Sequence, residues 1–348
     1  MKKLVTVLSL LTVLGAGSVC AETWKFASEE AKNDVQDIYA QAFADSIKEQ
    51  SDGDIRVRIY YYGQLGTEND IVELATKNTI QFVSVGAGHL GSYVPEIQVV
   101  SLPYLLNGSE EETHQILTES TSIYEGLEPK FESVNLKLLS MMSEGQMLWG
   151  ANKAIRSPRD FENQKIRTFT STIPTETYKA FGATPTPLSW GEVYGSLQLK
   201  TIDGMVNPPY FIYNAKWYEV QDFLINPKQQ PYVSTVSVNN QWFKKQPPEK
   251  QAMIEKAIDV ADKVAYDYQV KINSENLEKI KQERPDIQII ELTDDEIAQF
   301  KKRAENLHNV YLDVVSETYA QGEQTQARKD AQILIDNVMS EVEKASSM

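Results

Sequence analysis

Cysteine is nearly absent from this sequence. The single residue, Cys20, lies in an N-terminal targeting segment, so no disulfide is expected in the chain that remains after cleavage. The only histidines, His89, His114 and His308, are too far apart in sequence for an H-E-x-x-H metal site. A G-x-S-x-G nucleophile elbow is also missing. We therefore expect no metal, no cofactor and no catalytic residue.

Long apolar runs are scarce as well. Two lysines precede an apolar run over residues 4–14, and small residues lead up to Ala21, an order typical of a secretory signal peptide over residues 1–21. The run is shorter than the roughly 20 residues needed to span a bilayer. The residues ahead of Cys20 fit a lipoprotein anchor poorly. We expect export, with cleavage after Ala21.

Basic residues are fewer than acidic residues. The sequence has 34 Lys and Arg against 49 Asp and Glu, a formal net charge of −15 that becomes −17 when Lys2 and Lys3 leave. A surface of this sign repels nucleic acid and anionic membranes, so neither is expected as a partner. Screening over about 8–10 Å still lets a local arginine decide the binding of a small anion. Acidic pairs such as Glu29-Glu30 leave an exported hydrolase of sugars or esters as an alternative.

Strand and helix signals alternate along the rest of the chain. The run Ile55–Tyr62 alternates as a half-buried strand, and a helix is predicted before it over about residues 34–50. The apolar run Val99–Tyr104 predicts a core strand and turn. Long helices are predicted from Pro247 and, through a capping box, from Thr293. This alternation favours α/β architecture with parallel sheets.

The run Gly86–Gly91 matches the pattern G-x-G-x-x-G of dinucleotide-binding proteins. That function needs a strand ending in an acidic residue at a fixed distance downstream, and no such strand is predicted. We therefore interpret the run as a glycine-rich turn into a helix.

The most specific signal is a pair of polar residues at predicted strand ends. Lys165–Phe169 is a β-prone run with Arg167 near its end, and a helix, a break at Thr184–Pro187 and the capping box Ser189–Glu192 follow. A short strand then ends at Asn207. Ligands of open α/β sheets lie beyond the carboxyl ends of strands. A guanidinium binds a carboxylate through two parallel hydrogen bonds, and an amide can both donate and accept. Taken singly, such residues are more often structural.

The segment that holds this pair resembles a known family. KIRTFTSTIPTETYKAFGATPTPLSWGEVYGSLQLKTIDGMVNP, residues 165–208, is similar to the signature segment of DctP-type solute-binding proteins of TRAP (tripartite ATP-independent periplasmic) transporters. A weaker resemblance covers nearly the whole mature chain. The family implies a type II periplasmic binding protein fold, in which two discontinuous α/β lobes enclose a ligand cleft and long helices end the chain. It also implies that Arg167 clamps a substrate carboxylate, that Asn207 contacts the ligand and that a loop at Gly86–Gly91 lines the ligand cleft.

The resemblance sets further expectations. We place lobe I at residues 22–145 plus 233–272 and lobe II at residues 146–232 plus 273–348. The expected protein is a monomeric periplasmic receptor without enzyme activity. It binds a small organic acid anion and delivers it to the small and large TRAP membrane subunits.

The ligand class is predicted from one departure from the family. Many relatives carry a second arginine where this chain has Met147, so the resemblance implies a monocarboxylate with a modestly apolar body. Arg58, Lys153 and Arg156 are cations that could compensate for the missing arginine. The full set of predicted ligand-binding residues is Arg167, Asn207, Met147, Glu144, Phe169, Tyr210, Phe211 and Trp190.

Overall fold

The computed structural model describes residues 21–347, so the predicted signal peptide lies outside the described residues except for Ala21. Strands of this part of the chain form a five-stranded and a six-stranded sheet, here called sheet A and sheet B. The strands are β1 (Glu22–Ser28), β2 (Ile55–Tyr60), β3 (Phe82–Gly86), β4 (Leu136–Gln146), β5 (Leu148–Ala151), β6 (Lys165–Thr168), β7 (Thr184–Pro187), β8 (Gly204–Asn207), β9 (Phe223–Asn226), β10 (Pro231–Asn239) and β11 (Gln288–Glu291).

Helices connect and cover the strands. They are α1 (Val35–Gln50), α2 (Glu68–Thr76), α3 (Ala87–Leu90), α4 (Glu110–Glu119), α5 (Thr121–Ser133), α6 (Thr172–Ala180), α7 (Val193–Gln198), α8 (Pro209–Asn214), α9 (Asn240–Lys244), α10 (Pro248–Glu283), α11 (Asp294–Ala304), α12 (Leu307–Glu317) and α13 (Gln324–Ala345). Short 3₁₀ segments lie at Pro95–Ser101, Pro158–Phe161, Trp190–Glu192 and Trp217–Val220. Among the helices of residues 21–347, none combines the length and apolar composition needed to cross a membrane.

Both sheets are mixed, and the predicted parallel pairing holds for only part of each. Sheet A has the order β2-β1-β3-β10-β4, with β10 antiparallel to both neighbours. Sheet B has the order β11-β9-β5-β8-β6-β7, with β5 antiparallel to both neighbours. The chain crosses from sheet A to sheet B between β4 and β5 and returns between β9 and β10. β5 and β10, the strands that follow these two crossings, run against their neighbours, whereas β11, which returns to sheet B after α10, is parallel to β9.

Two local predictions were wrong. The apolar run Val99–Tyr104 was predicted as a strand, but Pro95–Ser101 is a 3₁₀ segment with proline at its first turn. A short, fully buried apolar run has no periodicity that separates the two structures. Thr184–Pro187 was predicted to break the chain, but it forms β7, which pairs with β6. β7 is an edge strand, the position where a sheet tolerates proline.

Long helices join the two halves of the molecule. α10 spans 36 residues and packs against α1 and β4 on the sheet A side and against α8 on the sheet B side. The C-terminal helix α13 packs against α4, α5 and α12. The predicted lobe limits stay a prediction, and these contacts favour grouping α13 with the sheet A side.

A cluster of aromatic rings lies beside sheet B. Phe300 of α11 is fully buried, and its ring centroid lies 4.9 Å from Trp149, 5.2 Å from Phe181 and 5.9 Å from Phe161. Edge-to-face contacts of this kind add to the free energy of apolar burial. The cluster therefore fixes α11 against the sheet that carries Arg167.

We expect Phe300→Ala to lower the free energy of unfolding by about 3–5 kcal/mol, because it removes a buried ring and leaves a cavity. Urea unfolding followed by circular dichroism would measure the loss. Ile333→Ala is a suitable control, since Ile333 is 54% exposed and its loss should cost less than about 0.5 kcal/mol. Equal effects of the two substitutions would contradict the assigned packing.

Candidate ligand-binding site

A small cavity lies between sheet A and sheet B, at the carboxyl ends of several strands. It has a volume of about 10 Å³, roughly the space of one water molecule. The two sides of the cleft are therefore in contact, which is a closed arrangement. The cavity is lined by Glu29, Glu68, His89, Arg167, Phe169, Trp190, Asn207, Phe211 and Tyr232.

Arg167 and Asn207 meet in this cleft because β6 and β8 are parallel neighbours that end side by side. The Arg167 side chain is fixed by Nε, which donates to the Leu188 carbonyl at 3.1 Å, and by Nη1, which donates to Asn207 Oδ1 at 3.1 Å. Its guanidinium also lies over the Phe169 ring, 4.6 Å from the centroid. The fork is held rigidly before any ligand arrives.

The Arg167 guanidinium is buried without a carboxylate partner. The residue is 1% exposed, and no Asp or Glu oxygen of the described residues lies within ion-pair distance of it. Burial lowers its pKa from the usual value, but an arginine stays charged in proteins. A buried, unpaired cation is costly, and the described contacts use two of its five N–H donors. The site is therefore chemically suited to an anion.

Glu29 faces the same cavity from the end of β1. Its Oε1 accepts hydrogen bonds from the Gly86 amide at 2.7 Å and the Tyr232 hydroxyl at 2.5 Å, whereas its Oε2 is buried and has no partner among the described residues. Burial, reinforced by the charge of Glu68, raises the pKa of Glu29 to about 8. Glu29 is thus mostly protonated at neutral pH.

The glycines of the run Gly86–Gly91 allow close packing around this cavity. A Cβ on Gly86 would lie 2.2 Å from the Tyr232 hydroxyl oxygen, and one on Gly88 would lie 2.9 Å from the Phe169 ring. Gly88 also accepts a hydrogen bond from the Ser171 amide at 3.1 Å across the two sides of the cleft. The glycines therefore serve contact between the lobes, in agreement with the interpretation as a turn into a helix.

Glu68 links the two sides of the cleft. It begins α2 on the sheet A side, and its carboxylate accepts from the Ser189 hydroxyl at 2.9 Å and the Trp190 amide at 3.0 Å on the sheet B side. Burial opposes its ionisation, but His89 and these donors outweigh that effect and lower the pKa of Glu68. Burial lowers the pKa of His89 to about 4, so this histidine is neutral at physiological pH.

The structure brings five of the eight predicted site residues together. Arg167, Asn207, Phe169, Phe211 and Trp190 line the cavity, and their contact with a ligand stays a prediction.

The other three predicted residues lie elsewhere. Met147 is buried in the core at the chain crossing, where its amide donates to the Gln230 carbonyl at 3.2 Å. Glu144 and Tyr210 are buried behind the cavity and hydrogen-bond to each other. They are not among the residues that line the cavity.

Four lining residues are not among the eight predicted ligand-binding residues: Glu29, Glu68, His89 and Tyr232. His89 lies in the loop Gly86–Gly91, which the family resemblance places at the ligand cleft. Glu29 and His89 follow β1 and β3, so the rule of strand carboxyl ends that identified Arg167 could have found them as well. Glu29 was considered only as part of an acidic pair in a hydrolase. Glu68 and Tyr232 carry no comparable signal, since their place depends on how the two sheets meet.

Comparisons with known proteins agree with this architecture. The model of the family "Bacterial extracellular solute-binding protein, family 7" (DctP) matches residues 26–313. The chain is 36% identical to the ectoine-binding periplasmic protein TeaA of Halomonas elongata, over 90% of this chain and 92% of TeaA. It is 35% identical to the ectoine/5-hydroxyectoine-binding periplasmic protein UehA of Ruegeria pomeroyi, over 88% of this chain and 90% of UehA.

A solved structure shows the same fold. The high-resolution structure of the periplasmic ectoine-binding protein of the TeaABC TRAP transporter of Halomonas elongata matches with a TM-score of 0.86 and 34% identity, covering 93% of this chain and 100% of that chain. The predicted two-lobed α/β fold is confirmed. The family consists of transport receptors, and nothing in the comparisons supports the hydrolase alternative. The chain therefore belongs to family 7 of the bacterial extracellular solute-binding proteins, the DctP-type receptors of TRAP transporters.

Proposed function

We propose that this receptor binds a zwitterionic monocarboxylate of the ectoine type in the periplasm and delivers it, as a monomer, to the TRAP membrane subunits. One observation carries the proposal. Arg167 and Glu29 line the same cavity from opposite lobes, and within residues 21–347 the guanidinium of the first has no carboxylate partner and Oε2 of the second has no hydrogen-bond partner. Such a site fits a ligand with an anionic group at one end and a cationic group at the other.

The anionic end is assigned to Arg167 and Asn207. The remaining N–H donors of the guanidinium can bind a carboxylate in two parallel hydrogen bonds. The Asn207 oxygen already accepts from Arg167 Nη1, which leaves the amide NH₂ of Asn207 free to donate to the same carboxylate. A carboxylate in this position neutralises the buried cation.

The cationic end is assigned to Glu29. Ectoine carries a protonated cyclic amidine beside its carboxylate, and an amidinium N–H beside Oε2 would give that oxygen the partner it lacks. A cation there also favours the ionised form of Glu29. Binding is therefore coupled to loss of the Glu29 proton.

Aromatic rings line the space between these two ends. The Tyr232 ring centroid lies 5.4 Å from that of Phe169 and 5.5 Å from that of Phe211. Flat apolar surfaces suit a small ring, and aromatic faces attract a delocalised cation. This lining supports a compact cyclic ligand.

A dicarboxylate fits the site less well. Arg167 and the neutral His89 are the only basic residues among the nine that line the cavity. Arg58, Lys153 and Arg156, the cations that could have compensated for Met147, are not among those nine residues. A second carboxylate would therefore be buried without a cation, which is strongly disfavoured.

The ligand can be identified by a thermal-shift screen of ligand-free protein against ectoine, 5-hydroxyectoine and a panel of mono- and dicarboxylic acids. A ligand that binds only the folded state raises the melting temperature by mass action. Ectoine and 5-hydroxyectoine should give the largest shifts, and succinate little or none. A larger shift with succinate than with ectoine would contradict the proposed ligand class.

We expect Arg167→Lys to weaken ligand binding by about 1.5–3 kcal/mol, or roughly 10- to 150-fold in Kd, because lysine keeps the charge but loses the planar fork. Isothermal titration calorimetry with the best ligand of the screen would measure it. Arg58→Lys is the matched control, since Arg58 is exposed and outside the cavity, and its Kd should not change. An unchanged Kd in Arg167→Lys would remove this residue from the binding site.

The protonation of Glu29 gives a pH test. The ligand's cation competes with the Glu29 proton, so ectoine should bind the wild type more tightly as this proton is lost. We therefore expect the ratio of the ectoine association constants, wild type over Glu29→Gln, to rise with pH up to about 8 and to stay constant above that pH. The rise is at most about tenfold per pH unit. Taking the ratio cancels titrations that both proteins share. A ratio that falls between pH 6 and 8 would indicate a ligand without a cation at Glu29.

A further inference from the structure

A second polar cluster, here called the acid joint, lies directly behind the ligand cavity. It consists of Glu30, Glu144 and Tyr210, each at most 1% exposed. The Tyr210 hydroxyl lies 2.7 Å from Glu30 Oε1 and also hydrogen-bonds to Glu144 Oε2. Glu30 and Glu144 belong to the sheet A side, and Tyr210 belongs to α8 on the sheet B side. The acid joint therefore connects the two lobes.

The hydrogen bonds of the acid joint require an additional proton. A phenol has one hydrogen, so it can donate to only one of the two carboxyl groups that face its oxygen. The other oxygen of each carboxyl group already accepts a hydrogen bond from Gln36. The Gln36 backbone amide donates to Glu30 Oε2 at 2.8 Å, and the Gln36 side-chain amide donates to Glu144 Oε1 at 3.2 Å. One of the two carboxyl groups must therefore carry a proton and donate it within the joint.

The surroundings offer no cation that could replace this proton. Among the described residues, neither Glu30 nor Glu144 forms an ion pair with a lysine, arginine or histidine. Burial, together with the charge of Glu144, holds the pKa of Glu30 well above its usual range. The other titratable groups that face the joint are all acids or phenols: Glu29, Asp34, Asp37, Tyr232 and Tyr268.

A second contact between the lobes lies next to the joint. Asn214, at the end of α8, donates from Nδ2 to Asp34 Oδ1 on the sheet A side. Burial raises the pKa of Asp34 to about 7. Both ends of α8 are thus attached to acidic side chains of the other lobe.

The acid joint is linked to the ligand cavity through the backbone. Tyr210 immediately precedes Phe211 and lies three residues after Asn207, and both of these residues line the cavity. Glu30 immediately follows Glu29, which lines the opposite side. A shift of Tyr210 relative to Glu30 would therefore move ligand-contacting residues of one lobe away from those of the other.

We infer that Tyr210 is a positioning residue, which holds Asn207 and Phe211 against the sheet A side of the cleft. It does so through a hydrogen-bonded proton that it shares with Glu30 and Glu144, and the protein takes up this proton when the lobes close. Tyr210 and Glu144, predicted as ligand contacts, would then act without touching the ligand. The inference concerns closing itself and does not depend on the identity of the ligand.

The sign of the pH effect follows from the raised pKa values of the closed form. When the lobes part, water reaches the carboxyl groups and their pKa values return towards the usual value near 4.5. The acid joint therefore stabilises the closed form to its full extent at a pH below the open-form pKa near 4.5. This stabilisation decreases as the pH rises towards the pKa of the closed form. A single proton changes the closed-to-open ratio by at most about tenfold per pH unit.

Spin labels on either side of the cleft would report closing directly. Glu73→Cys on α2 and Gln198→Cys on α7 provide exposed label sites on opposite lobes, and Cys20→Ser leaves them as the only cysteines. Distances measured by pulsed electron paramagnetic resonance at pH 6 and pH 9, with and without ectoine, should show more of the long, open distance at pH 9. A wild-type distance distribution that is the same at both pH values, in both conditions, would overturn the inference.

Variants separate the joint from other titrating groups. Glu144→Gln should be more closed than the wild type at pH 9, because an amide supplies a hydrogen that does not titrate. Tyr210→Phe should be more open than the wild type at both pH values, because the hydrogen bonds that cross between the lobes are lost. Asp262→Asn is the matched control. The pKa of the half-buried Asp262 is also raised to about 7, but its partner, Ser140, lies within sheet A, so this variant should keep the wild-type response. Loss of the response in Asp262→Asn, or its retention in Glu144→Gln, would rule out the joint. A failure of ectoine to bind would affect only the measurements with ligand.

Discussion

A buried guanidinium without a carboxylate partner is the feature on which the binding site depends. Arg167 is placed by β6, held by Leu188 and Asn207, and stacked on Phe169, so its position costs little further ordering when a ligand arrives. Within residues 21–347, no carboxylate forms a direct ion pair with it. In a chain of net charge −15, this local exception to the overall sign is what makes an anionic ligand possible.

The other polar groups of the cleft follow from the same arrangement of two lobes. Glu29 lies opposite Arg167 with one free oxygen, and Glu68 crosses between the lobes to Ser189 and Trp190. These contacts exist only when the lobes meet, so a ligand that bridges Arg167 and Glu29 favours the closed form by its differential affinity. In the proposed function, recognition of the ligand and closing of the cleft are therefore coupled.

Sequence reasoning located the sheet B half of the site but not the sheet A half. Arg167, Phe169, Trp190, Asn207 and Phe211 lie within one continuous segment, where strand ends and capping residues give local signals. Tyr232 and Glu68 are brought to the cleft by contacts between distant parts of the chain, which local patterns do not report. Most helices and strands were predicted because the propensity of their residues agrees with the structure that they form. β7 was not predicted, because it depends on pairing with β6 and not on local preference.

A crystal structure of the protein with the tightest-binding compound from the ligand screen would test the central claim most directly. The account predicts a ligand carboxylate within hydrogen-bond distance of the Arg167 guanidinium and of Asn207, and a cationic group of the ligand against Glu29 Oε2. A ligand bound in the cleft with its carboxylate away from Arg167, or an Arg167 paired instead with a carboxylate of the protein, would contradict it.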